Sequence, residues 1–251
     1  MSVSVLRLGQ LTWPEVQAAV AAGLDTAIFA VGSTEQHGPH LPLFTDTLIG
    51  EALCERVALA VGGAIIAPAI TVGLSGIHME FPGSLTIDTS VLRGTVTGYC
   101  ESLAKHRFAR VVVIPSHGGN FAAVHETIAS ITGGIPATRL LTFTDWPALR
   151  SAFVNILAED GMKLDAPGLH AGEVETSIML HLHPELVRME LAQPGYTGSS
   201  ESGRPYSKSI GEVSPIGVLG DPRPASSGRG ERYVEAWVRL IVTATADAAK
   251  G

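Results

Sequence analysis

Glu35 and His37 stand two apart in Gly32-Ser33-Thr34-Glu35-Gln36-His37-Gly38-Pro39-His40, and Asp46 follows in Thr45-Asp46-Thr47. A second imidazole is offered by Ser116-His117-Gly118-Gly119-Asn120. Carboxylates mixed with imidazoles suit zinc, manganese or ferrous iron rather than calcium. In an extended segment residues i and i+2 share a face, so Glu35 and His37 can serve one centre. Asp46 returns after the Gly38-Pro39 turn at the start of a helix. There it is either a cap or a ligand well placed to bridge two ions. Gly118 and Gly119 are expected to allow close backbone approach and unusual φ beside His117. A third group, His170-Ala171-Gly172-Glu173-Val174-Glu175-Thr176-Ser177, sets a loop histidine beside two glutamates at a helix start. Acids in a first turn stabilise the helix dipole. A histidine among carboxylates is also what acid–base catalysis needs.

The elements that must carry these groups are legible as alternating runs. Strand-like runs fall at 26–31, 64–70, 111–115 and 140–144, and helical patterns at 13–22, 46–61, 89–106 and 121–132. Strands separated by helices of this length imply βαβ crossovers and a mainly parallel sheet. Such sheets bind ligands beyond the carboxyl ends of their strands. Glu35, His37, Asp46 and His117 are therefore expected to converge at one sheet edge. Helical patterns continue at 174–182 and 230–249. The Gly-, Ser- and Pro-rich stretch 194–227 between them is too long for a simple connection, and an active-site or subunit-contact loop is one reading of it.

Composition narrows the classes. The chain has 251 residues, 45% of them hydrophobic and 16% charged, which suits one large α/β domain and not disorder. A net charge of −7, with no basic block longer than Lys105-His106-Arg107, argues against nucleic acid as a partner. Cys54 and Cys100 form no metal or disulfide framework and are expected as buried helix residues. No membrane-spanning run and no signal peptide are read, so a cytoplasmic protein is the expectation. The glycine-bearing stretch Thr71-Val72-Gly73-Leu74-Ser75-Gly76 lacks the spacing of a nucleotide loop. His78 and Phe81-Pro82-Gly83-Ser84 beyond it are expected as substrate-pocket wall, with a solvent-facing loop as the alternative for His78.

Taken together, Glu35-Gln36-His37-Gly38-Pro39-His40-Leu41-Pro42, Thr45-Asp46-Thr47, His117-Gly118-Gly119-Asn120 and His170-Ala171-Gly172 with Glu175-Thr176-Ser177 resemble the creatininase (creatinine amidohydrolase) family. The resemblance runs in the family's order from about Leu11 to the C-terminal helix. It implies a three-layer α/β/α sandwich, one domain over 1–251, and a homo-oligomer, often a hexamer. It also implies two divalent ions per chain (Zn, Mn or Fe(II)) and hydrolysis of a carbon–nitrogen amide bond by metal-bound hydroxide. Glu35 and His37 would each hold one ion, Asp46 would bridge them, and His117 would complete the Glu35 side. His170 falls at the family's acid–base histidine, expected to protonate the departing nitrogen, with Glu173 as the next candidate.

Departures shape the substrate. The family's Tyr-Glu pair after the motif histidine is replaced by Gly118-Gly119, so Glu175, or else Glu173, must complete the second metal site. The tryptophan before the acid–base histidine is replaced by Asp165-Ala166-Pro167-Gly168-Leu169, while Trp146 resembles a second family tryptophan. His78, Gly118, Gly119, Asn120 and Trp146 are the expected substrate wall, and the small residues at 118, 119, 166 and 168 open it. Ser214-Pro215-Ile216-Gly217-Val218-Leu219-Gly220-Asp221-Pro222, Gly230-Glu231-Arg232 and Leu180-His181-Leu182-His183-Pro184 look like the family's branch of peptidases that trim the mycofactocin precursor. A peptide C-terminus is the leading expectation. Creatinine, a formamide of flavin or deazaflavin biosynthesis, and a non-catalytic oligomeric binding role are the alternatives. No Gly-x-Ser-x-Gly elbow is present, in keeping with water rather than serine as nucleophile.

Overall fold

An apolar run without a polar break, such as Thr26–Val31, can bury its side chains on both faces only between two covering layers. The computed structural model describes residues 5–135, 137–163, 170–198 and 208–247. Its strands are β1 (Val5–Arg7), β2 (Thr26–Val31), β3 (Ala64–Ile66), β4 (Arg110–Pro115) and β5 (Arg139–Thr142). Its helices are α1 (Trp13–Ala21), α2 (Thr45–Ala60), α3 (Thr89–Lys105), α4 (Phe121–Ile131), α5 (Trp146–Glu159), α6 (Glu173–Leu182) and α7 (Ser227–Asp247). The sheet order is β1-β3-β2-β4-β5, parallel at every pairing. β2 is central, and its register with β4 runs from Thr26 opposite Arg110 to Val31 opposite Pro115.

Alternation along β2 separates two cores. Ile28 and Ala30 pack with Ile49 and Leu53 of α2, Leu149 and Phe153 of α5, Ile178 of α6 and Trp237 of α7. Ala27, Phe29 and Val31 pack with Leu92 and Val96 of α3 and Val124 of α4, against which α1 lays Val16 and Val20. This is a three-layer α/β/α sandwich. Crossover handedness explains the sorting. The chain moves one way along the sheet from β1 to β2, from β3 to β4 and from β4 to β5, and α1, α3 and α4 lie on one face. It moves back from β2 to β3, so a constant hand puts α2 on the other face. That reversal makes the carboxyl end of β2 the switch point of the sheet.

Some boundaries differ from the sequence reading. β3 stops at Ile66 because Pro68 has no N–H for the ladder. The chain nonetheless stays beside β2, with Ala67 N–H on Ile28 O and Ile70 N–H on Ala30 O. β1 and α5 were not expected. Three residues are too few to show a period, but α5 carries start signals in Pro147 and in Asp145, which accepts from Ala148 N at 2.9 Å. Cys54 and Cys100 are buried in α2 and α3 as expected. No helix among the described residues is long and apolar enough to cross a membrane.

Candidate metal centre

Three strand ends and two helix starts supply the polar cluster. The segment after β2 bears Glu35, Gln36 and His37, the segment after β3 bears His78, and His117 follows β4. Asp46 comes from the first turn of α2 and Glu175 from the first turn of α6, with His170 just before it. Glu35, Asp46 and His117 form one triad of donors, and His37, Asp46 and Glu175 another. Within each triad the donor atoms lie within 4.8 Å of one another. His117 Nδ1 is 3.1 Å from Asp46 Oδ2 and 3.3 Å from Glu35 Oε1. His37 Nε2 is 3.6 Å from both Asp46 Oδ1 and Glu175 Oε2. Asp46 thus offers one oxygen to each half.

The outer nitrogens set the tautomers of both rings. His37 Nδ1 lies 3.1 Å from the Glu35 carbonyl oxygen, and His117 Nε2 lies 3.2 Å from that of Leu74. A carbonyl only accepts, so these nitrogens hold the ring protons and the inward ones present lone pairs. Those lone pairs face carboxylate oxygens, which is repulsive unless positive charge lies between them. His37 Nε2 and both Glu35 oxygens are buried and make no hydrogen bond, a rare condition that points to an ion. Three carboxylates and two such imidazoles fit a pair of divalent cations.

The ionisation of the protein groups alone shows the same demand. Burial opposes charge on His37, but Asp46 and Glu175 outweigh it and push its pKa up to about 10. At His117 burial is outweighed by Glu35 and Asp46, and the value rises to about 9. Burial also acts on Asp46, yet His37 and His117 hold it well below the usual carboxylate range. Burial raises Glu35, and it raises Glu175 to about 7. His170 moves the other way, well below the ordinary histidine value, through burial and then the charges of His37 and His78.

Backbone and hydroxyl groups brace the cluster. Ser33 Oγ donates to Asp46 Oδ2 at 2.5 Å, Ser116 Oγ to the Asp46 carbonyl at 2.7 Å, and Ala171 N to Glu175 Oε2 at 2.6 Å. His78 is buried, with Nε2 3.3 Å from Glu35 Oε1, so the solvent-facing alternative does not hold. It lines a cavity of about 1050 Å³ with Glu35, His117, Gly118, Gly119, Trp146 and His170. Gly118 and Gly119 do not adopt the left-handed φ that the sequence reading allowed for. Close approach alone explains Gly119, since a Cβ there would sit 2.5 Å from His117 Nε2 and 2.7 Å from Leu74 O. Gly119→Ala should therefore break the His117–Leu74 contact and lower metal content, whereas Gly118→Ala, with only Trp146 at 3.7 Å, should not. Metal analysis of the two variants separates these outcomes.

Two expected residues do other work. Asn120 spends its amide on backbone, accepting from Leu74 N and donating to Val31 O and Gly32 O, so it ties the loop after β3 to the end of β2. Glu173 is not brought to the cluster. It faces α7, accepting from Arg229 Nε at 2.6 Å, Tyr233 OH at 2.7 Å and Ser177 Oγ at 2.7 Å. Breaking a buried pair costs about 3–5 kcal/mol, and Arg229 keeps Asp160. Glu173→Ala should therefore lose about 3 kcal/mol in urea unfolding while metal content stays unchanged. The 165–169 segment, with the small residues at 166 and 168, lies outside the described residues.

The 208–220 stretch closes over the site, as one of its two readings had it. Leu219 N donates to the His170 carbonyl at 2.9 Å, Ile210 and Leu219 line the cavity, and Gly217 O meets Gln36. Gln36 had no assigned role. In an extended segment it points away from the face of Glu35 and His37, so spacing gave no signal for it.

The profile of the creatininase family, described as creatinine amidohydrolase, matches residues 9–245. The mycofactocin precursor peptide peptidase of Mycolicibacterium smegmatis is 36% identical over 209 residues, 80% of this chain and 76% of that protein. The creatinine amidohydrolase of Pseudomonas putida is 31% identical over 255 residues, 97% of each. A solved mutant creatininase of Zn-Zn type superposes with a TM-score of 0.81 at 30% identity, covering 97% of this chain and 98% of that one.

Proposed function

The chain belongs to the creatininase family and is a hydrolase of carbon–nitrogen bonds, and we propose that one domain does this with two divalent cations. Glu35 and His117 would hold one cation and His37 and Glu175 the other, with Asp46 shared. The observation that carries this is Asp46 itself, whose two oxygens face two imidazoles already turned to present lone pairs. Cations bound there would supply Lewis acidity, polarising an amide carbonyl and activating water near neutral pH. The chain's own groups orient and enclose. The carbonyls of Glu35 and Leu74 hold the two imidazoles, Ser33 holds Asp46, and the Ala171 N–H holds Glu175. His170, with Nδ1 3.7 Å from Glu35 Oε1, lines the cavity together with His78 and His117.

The cavity supports a large amide substrate. At about 1050 Å³ it lies at the upper end of ligand pockets, far beyond what the single ring of creatinine fills. Its walls away from the cluster carry the apolar Phe121, Trp146, Leu149 and Trp237 beside the polar His125, Glu126, Thr144 and Asp145. A peptide cut near its C-terminus, as the mycofactocin precursor is expected to be, suits this shape. Metal analysis followed by a hydrolysis screen of creatinine, formamides and short peptides tests both parts. We expect about two ions per chain and turnover of a peptide. Faster hydrolysis of creatinine than of every peptide would refute the substrate reading and leave the metal reading intact.

A further inference from the structure

His40 is buried, and its ring is spent on a single directed contact. Nε2 lies 2.9 Å from Thr176 Oγ1, while Nδ1 is buried without a partner. A leucine would fill the same space with no unsatisfied nitrogen, so the imidazole is explained by what Nε2 reaches. A hydroxyl both donates and accepts, and the bond therefore holds whichever ring nitrogen carries the proton. Thr176, also buried, follows Glu175 in α6, and His40 follows His37 across the turn at Gly38-Pro39. That turn is tight: Gly38 has φ 64°, and a Cβ there would fall 3.0 Å from His40 Nδ1. The contact thus closes a short circuit through His37, His40, Thr176 and Glu175. The His40 carbonyl accepts from Arg188 N at 2.9 Å, so the loop is also tied to the segment after α6. Glu35, Asp46 and His117 are braced elsewhere, by Ser75's neighbour Leu74 and by Ser33 and Ser116.

We propose that His40 is a positioning residue that, through Thr176, sets His37 against Glu175 and so governs one half of the centre only. The proposal rests on the two-cation reading. His37 Nε2 and Glu175 Oε2 are 3.6 Å apart, a span that one cation bridges with bonds of about 2.0–2.2 Å. Such bonds tolerate only about ±0.2 Å, and a small slip of the loop along α6 would exceed that. Glu175 is held from its own side. It accepts from Ala171 N at 2.6 Å, and Ala171 has φ 53°, which a residue with a side chain adopts only when its surroundings impose it. The adjustable member is therefore the loop that carries His37.

Zinc titration against a competing chelator tests this in the parent chain, Thr176→Val, His40→Leu and His40→Gln. The parent should take up two ions. Thr176→Val removes only the hydroxyl and His40→Leu only the polar contact. Each should bind the first ion as the parent does and the second about 10–100-fold more weakly. His40→Gln puts an amide nitrogen within reach of Thr176 and should recover most of that affinity. Adding His117→Ala to Thr176→Val should leave well under one ion per chain, which identifies the half that empties. Two ions held at parental affinity in both Thr176→Val and His40→Leu would overturn the proposal, and so would parallel loss of both ions. A His40→Gln variant no better than His40→Leu would also count against it. Glu173→Ala is the stability control, since it should unfold earlier in urea yet keep both ions. A parent chain that holds fewer than two ions would undo the two-cation reading itself, and this proposal with it, before any variant is compared.

Discussion

Asp46→Ala is expected to yield a folded protein that has lost both proposed cations and, with them, detectable hydrolysis. The size of the effect follows from sharing. Each half of the centre counts Asp46 among its three clustered donors, so one substitution leaves each half with a single imidazole and a single carboxylate. Replacement of an outer-shell partner typically costs about 10–100-fold in metal affinity, and loss of a shared ligand must exceed that at both positions. Elemental analysis after dialysis gives the reading: about two ions per chain in the parent and well under one in the variant. Retention of one full ion would mean that Asp46 serves one half only. Glu173→Ala is the control, because Glu173 binds α7 and touches neither triad.

The second large effect is confined to turnover. His170→Ala should keep both cations and lose about 10²–10⁴-fold in kcat, the usual contribution of a general acid to the departing nitrogen. His170 has no carbonyl presenting its lone pair to the cluster, unlike His37 and His117. Its Nε2 meets Gln36 and its ring packs against His37 and His78, with centroids 4.4 and 4.5 Å apart. Single-turnover kinetics beside metal analysis tests this. Loss of zinc in parallel with rate would reassign His170 to metal binding, within the group it forms with Glu35 and His37.

Much of this was readable from residue order because the ligand-type residues sit where strand ends must put them. An unbroken apolar run identifies a central strand, and the chemistry-bearing residues just beyond it are then confined to one edge. The convergence of Glu35, His37, Asp46 and His117 followed from that. Glu175 and Glu173 show where spacing fails. Both lie in the first turn of α6, and only their rotation about its axis sends one to the cluster and the other to Arg229 and Tyr233. Asn120 and Gly119 also stand beside His117, but sequence could not show that one is spent on backbone and the other on clearance. Gln36 was illegible for another reason. Its partners, His78, His170 and Gly217, come from three distant segments, and no local pattern encodes such a meeting.

That last contact spans a separation of 181 residues, and the distance sets a timetable for metal acquisition in the cell. At a synthesis rate of about 5–20 residues per second, roughly 10–40 s pass between the emergence of Gln36 and that of the glycine that closes over it. Glu175 and His170 arrive late in the same interval. A ribosome-bound chain that has formed β2 and β4 holds only the Glu35, Asp46 and His117 half of the centre, with His37 lacking its second carboxylate. On the two-cation proposal, capture at the second position would wait for α6, and the nascent chain would expose an unequal pair of sites to whatever metal the surroundings offer first.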